Sequence, residues 1–201
     1  HKGCIPSKMF LHYSQLLFES QDEILEGDLS LSMKTLLEKK EALLQSVTKV
    51  VVKQCADVEL IEGKGVVIAP HKVEVNGKTI EAKHIVIGTG SHPFIPEGIA
   101  YNAKDIITSD EVLMMSELPE KIAIYGDGAI GLEMASFFAT SGTEVTLIYR
   151  HDTIQKNAHP SIQKALTREL EKLGITLLPN HSIKEAKSTE KGVRISFEEG
   201  G

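Results

Sequence analysis

Two short stretches of this chain hold residue types at spacings that could do chemistry. The first is CIPSK, residues 4–8. It sets a thiol at the start of a helical stretch, with a proline in its first turn. At a helix start the thiol of Cys4 would feel the N-terminal dipole, which favours the nucleophilic thiolate. The alternative is a buried, inert thiol, since free cysteines are among the most buried residue types. The second stretch is GDGAIG, residues 126–131, a G-x-G-x-x-G pattern. Such a loop lets the backbone approach a dinucleotide pyrophosphate, which then sits at a helix N-terminus where amides and dipole favour negative charge.

The glycine pattern alone is weak, and its context gives it weight. KIAIYG reads as a strand, GAIGLEMASFFATSG as a helix closed by Gly142, and EVTLIY as a second strand, all within thirty residues. A third helix is predicted over 161–173, with Pro160 before it and Gly174 after it. ITLLP is another strand, and residues 182–198 read as a hairpin turning near Lys191 and Gly192. Gly126 would permit the tight turn, Gly128 the close approach of ligand, and Gly131 the close packing of helix on strand. Ala129 and Ile130 complete the loop.

The residue after the second strand chooses between cofactors: an acidic side chain holds the ribose hydroxyl of NAD, and a cation accommodates the 2′-phosphate of NADP. Here Tyr149, Arg150, His151 and, slightly later, Lys156 occupy that region, so local charge leans toward NADP. Arg150 has the alternative of being only a solvated loop cation.

Upstream, residues 4–19 read as a helix with Phe10, Leu11, Leu17 and Phe18 as apolar positions. Residues 21–31 are polar and form a connection or a weak helix end. A long helix over 32–55 carries Met33, Leu36, Leu37, Leu43, Leu44, Val47, Val50 and Val51 on one face, expected to be core, with Cys55 structural. From 58 to 88 the apolar period becomes two. Asn76-Gly77 marks a hairpin, and the run should end in a buried strand over 84–87. Glycines and prolines over 88–100 suggest a domain boundary.

Composition supports a globular protein: 41% apolar and 25% charged residues leave ample core-forming material. The net charge of −6, without basic clusters, argues against nucleic acid or an anionic membrane surface as partner. Two cysteines do not make a disulfide scaffold and suit a reducing, cytoplasmic setting. The histidines show no metal-ligand spacing, so no metal is expected. A chain opening on His1, with no initiator Met, reads as a fragment of a longer polypeptide.

Three motifs now combine. GCIPSK (3–8), IVIGTGSHP (85–93) and GDGAIGLE (126–133) occur in the order and spacing of the flavin-dependent pyridine nucleotide–disulfide oxidoreductases. The chain resembles that family over nearly its whole length, with the dihydrolipoamide dehydrogenase branch nearest. The resemblance implies an α/β fold: a partial FAD domain over 1–100, built of helices and an antiparallel meander, then a Rossmann-like NAD(P)-binding domain over 101–201. It implies that Cys4 is the flavin-side member of a C-x-x-x-x-C redox pair, contacting the isoalloxazine as a thiolate, with its partner two residues before His1. By the same resemblance Lys8 lies near the reactive flavin nitrogen, and Glu133 pairs with it near the nicotinamide. Gly65, Thr89, Gly90 and Ser91 contact the flavin cofactor. Lys8 and Glu133 have plainer alternatives, an exposed helix cation and a surface charge.

The implied cofactors are FAD and NAD, with NADP as the alternative. The implied partners are lipoamide or another small disulfide, a second copy of the chain in a homodimer, and a 2-oxo acid dehydrogenase complex. The implied function is electron transfer between dithiol substrate, cysteine pair, FAD and nicotinamide. YRHD (149–152) departs from the lipoamide branch and resembles NADPH-using reductases of the glutathione reductase type. Outside enzymes, the same residues could serve as a nucleotide-binding module without redox chemistry, or as an interaction protein presenting the 32–55 helix.

Overall fold

The computed structural model describes residues 2–21, 27 and 29–198, and the polar connection expected over 21–31 lies largely outside them. The chain forms two compact units, His1–Leu44 with Pro93–Gly201 and, separately, Gln45–His92.

Helix α1 (Cys4–Glu19) begins after Gly3 and buries Pro6, Ser7, Phe10 and Ser14 on one face. Helix α2 (Met33–Gln54) crosses the boundary between the units. Its first turns bury Met33 and Leu36 as the periodicity predicts, together with Lys40, which it does not predict. That lysine escapes the cost of burying a bare charge: its Nζ donates to the carbonyl of Leu113 at 2.9 Å and pairs with Glu41 at 3.1 Å. Farther along, Val50 and Val51 are about half exposed, so the apolar face is core only at its N-terminal end. Cys55 lies just past the helix, half-buried rather than fully enclosed.

The smaller unit holds the expected meander: β1 (Val66–Ala69), β2 (Lys72–Val75) and β3 (Lys78–Glu81), antiparallel in that order. Asn76 and Gly77 turn β2 into β3 with φ of 51° and 74°, the left-handed pair that suits a two-residue hairpin. The buried strand expected over 84–87 is not there. These residues are extended without a ladder, and Val86 is 92% exposed. Alternating apolar residues make a strand only beside a partner, and none of the described strands pairs with this run.

Back in the larger unit, a single helical turn, α3 (Ser109–Val112), had escaped periodicity because it is too short to show any. It has a full capping box: Thr108 accepts from the Asp110 amide, and the Glu111 carboxylate accepts from the Thr108 amide. Then come β4 (Lys121–Tyr125), α4 (Ala129–Thr140), β5 (Glu144–Ile148), α5 (Pro160–Lys172) and β6 (Thr176–Leu178). The three strands form a parallel sheet in the order β4-β5-β6, the strand–helix–strand pattern read from the sequence. The final hairpin, β7 (Ile183–Thr189) and β8 (Gly192–Phe197), also stands where expected.

Strand β5 explains the layering. Val145, Leu147 and then Tyr149 point into one cluster with Phe10, Leu36, Met134, Phe137 and Phe138, contributed by α1, α2 and α4. Ile148 points the other way, against Ile183 and Ala186 of the hairpin. The sheet is covered on both faces, as parallel sheets require.

Candidate functional site

Strand β4 ends at Tyr125, and the chain turns sharply at Gly126, whose φ is +114°. Glycine alone takes that conformation without strain. Its amide donates to the carbonyl of Ile148 at 2.9 Å, fixing the turn to the tip of β5. At Gly131 the reason for glycine is contact: a Cβ there would stand 2.0 Å from the carbonyl oxygen of Gly126. At Gly128, the N-cap of α4, a Cβ would meet nothing within 4 Å. The first helical bond runs from the Leu132 amide to Gly128, so the amides of Ala129, Ile130 and Gly131 have no acceptor within the helix. Gly128, Ala129 and Ile130 are exposed. Open space, donor amides and a helix dipole fit a dinucleotide pyrophosphate.

One turn into α4, Glu133 faces α1. Lys8 forms an ion pair with its Oε1, and the Ser7 hydroxyl lies 3.2 Å from its Oε2. Ser7 is buried, and its hydroxyl is also 3.3 Å from the carbonyl of Cys4. The two helices are locked below this point by Phe10 and Phe137, with ring centroids 5.2 Å apart. Sequence reasoning did not single out Ser7. The signal was its place inside CIPSK, one position from the lysine. Cys4, at the first position of α1, is free and exposed.

Tyr149, Arg150 and His151 follow β5. Tyr149 is buried in the main core, its hydroxyl pushed up from the usual range by that burial, then by the charges of Asp127 and Glu171. Arg150 is exposed and His151 half-exposed. Beyond them the loop returns: the amide of Gln155 donates to Asp127 Oδ2 at 2.6 Å, and the Gln155 side chain donates to the Asp127 carbonyl.

Gly65, Thr89, Gly90 and Ser91 belong to the smaller unit, where all four are exposed. Gly88 and Gly90 have open space where a Cβ would stand, and Gly90 has φ of +81°, so a cofactor could approach this backbone closely. Among the described residues no group of three or more His, Cys, Asp or Glu side chains is placed to hold a metal ion. No helix among them is long and apolar enough to cross a membrane.

A glycine loop on a parallel sheet, feeding a helix bonded to a second helix that starts with an exposed cysteine, makes an α/β protein whose loop fits a dinucleotide. The chain belongs to the pyridine nucleotide-disulphide oxidoreductase family, whose profile matches residues 1–201. It is 31% identical to dihydrolipoyl dehydrogenase 1, mitochondrial, of Arabidopsis thaliana, over 99% of this chain and 42% of that protein. It is 28% identical to mercuric reductase of Staphylococcus aureus, over 99% of this chain and 38% of the other. The fold is also similar to that of the HOCl-induced flavoprotein disulfide reductase RclA from Escherichia coli, with a TM-score of 0.76 and 23% identity, covering 98% of this chain and 44% of that one. The chain thus spans less than half the length of these relatives.

Proposed function

We propose that the intact protein is a dihydrolipoamide dehydrogenase-like flavoprotein, moving two electrons between a dithiol substrate and NAD(P) through a cysteine pair that includes Cys4. One observation carries the reading. Helix α4 begins at the glycine loop and, one turn later, offers Glu133 to Lys8 on the helix that starts with Cys4. The nucleotide platform and the thiol are thereby held by one pair of packed helices.

In this reading the amides of residues 129–131 bind the pyrophosphate, and the exposed Cys4 sulfur is the thiolate released when a dithiol opens the enzyme's disulfide, from which the electrons pass on. Substrate dithiol is oxidised to disulfide, and the enzyme's own disulfide is reduced to two thiols. FAD, when bound, supplies the two-electron relay between sulfur and nicotinamide. Lys8 holds a positive charge beside that relay, and Glu133, fixed by Ser7 as well, holds the lysine in place. Gly65, Thr89, Gly90 and Ser91 offer backbone and hydroxyl contacts to the flavin cofactor. A cytoplasmic homodimer, acting alone or within a 2-oxo acid dehydrogenase complex, is the matching assembly.

A second reading, an NADPH-dependent disulfide reductase of the glutathione reductase type, is favoured by the exposed Arg150 at the end of β5. Steady-state kinetics of the full-length protein separate the two. Dihydrolipoamide oxidation with NAD is expected under the first. Reduction of glutathione disulfide with NADPH, without lipoamide turnover, replaces it with the second. A colourless full-length protein with neither activity leaves a nucleotide-binding module and overturns both.

A further inference from the structure

The loop after β5 does not merely follow the strand; it is tied back to the glycine loop at one residue. Asp127, the variable second position of GDGAIG, accepts the Gln155 amide on Oδ2 at 2.6 Å, and its own carbonyl accepts from the Gln155 side chain. The Gln155 carbonyl in turn accepts from Gln163 Nε2 at 3.1 Å and from the Ala158 amide at 2.7 Å. Gln155 pays for this with φ of +49°, a left-handed conformation that a non-glycine residue holds only when its surroundings insist. Ile154, 1% exposed, anchors the segment in the core beside these bonds.

What the tie does is aim. Between β5 and Gln155 lie Arg150 and His151, and directly after it Lys156, the cations that could meet a 2′-phosphate. A carboxylate in a phosphate-binding loop should by charge alone weaken anion binding. Here it is spent on the neighbouring segment. We propose that Asp127 is a positioning residue for nucleotide selectivity: by latching Gln155 it fixes the course of the loop between Arg150 and Lys156, and so raises the affinity for the 2′-phosphorylated dinucleotide relative to its unphosphorylated counterpart. This rests on the reading of residues 126–131 as a pyridine nucleotide site.

The test is equilibrium binding of NADPH and NADH to the full-length flavoprotein, reported as the ratio of the two dissociation constants. In Asp127→Ala the ratio should shift about tenfold toward NADH, the loss of a charge-assisted bond. Asp127→Asn keeps an acceptor for the Gln155 amide and removes the charge. It should restore most of the ratio while tightening both nucleotides alike. Gln163→Ala, which loosens the same residue from the other side, should shift the ratio in the same direction, and it decides the matter if Asp127→Ala does not fold. An unchanged ratio in a folded Asp127→Ala, or in Gln163→Ala where that variant decides, overturns the latch. A wild-type protein that binds neither nucleotide overturns the underlying site instead, and the latch with it.

Discussion

Lys8 and Glu133 stand 125 residues apart in the chain and close an ion pair between α1 and α4. The lysine side chain is 65% exposed, so the pair lies in the regime where ion pairs add about 0–1 kcal/mol to stability. Stability is therefore a poor reason for it, and under the proposed function its part is electrostatics toward a bound redox group. Lys8→Met in the full-length protein should leave the urea midpoint nearly unchanged and reduce turnover about a hundredfold, the scale of losing one preorganised charge. Equal losses of stability and turnover would make the pair structural.

Cys4 presents its sulfur at the start of α1, exposed. In Cys4→Ser the hydroxyl is a far weaker nucleophile and cannot form a disulfide. The full-length variant should keep its flavin, lose dithiol–disulfide turnover altogether, and lose any long-wavelength absorbance arising from a thiolate beside the flavin. Turnover at the wild-type rate would remove Cys4 from the chemistry.

The two glycines at the start of α4 should separate folding from binding. A Cβ at Gly131 collides with a backbone oxygen of the same turn, which cannot swing aside as a side chain would. Gly131→Ala should cost about 1–3 kcal/mol, the range for overpacking. A Cβ at Gly128 has nothing near it, so Gly128→Ala should unfold like the wild type. It should nevertheless bind NAD(H) and NADP(H) at least about tenfold more weakly, because the methyl enters the space a pyrophosphate needs. Calorimetric melts and nucleotide titrations of both variants give the four numbers required.

These contrasts also mark how far the sequence could be read. The parallel sheet, α4, α5 and both hairpins were legible because local signals agreed: strand runs bounded by glycine, a helix opened by Pro160, and Asn76-Gly77 between alternating residues. The 84–87 run was misread because its composition describes a strand, whereas a ladder depends on what lies beside it. Val50 and Val51 failed similarly, since periodicity reveals a face without revealing what covers it. In the site, the helix start marked Cys4 as a candidate, and the family resemblance of the motifs added Lys8 and Glu133. Neither had access to the Ser7 hydroxyl on Glu133 or to the Asp127–Gln155 bond, whose partners are 126 and 28 residues apart. The capping box at Thr108 was readable, and was missed for want of a periodic helix behind it.

That capping box yields a pH dependence. Partial burial works against the Glu111 charge, but hydrogen bonds from the Thr108 amide and hydroxyl and the Tyr101 hydroxyl outweigh it and hold the carboxyl below its ordinary value. A carboxyl held low in the folded state contributes stability above its unfolded pKa, and that contribution fades as pH falls through the lowered folded value. Glu111→Gln should therefore be destabilised relative to wild type at pH 7, by up to about 1 kcal/mol on the scale of a helix cap. As the pH falls through that lowered value the wild-type carboxyl becomes neutral, and the two unfolding curves should converge. Denaturant titrations of both proteins from pH 7 to pH 3 measure this directly. A gap that stays constant with pH would mean that shape and hydrogen-bond count, and not the carboxylate charge, hold the turn at Thr108.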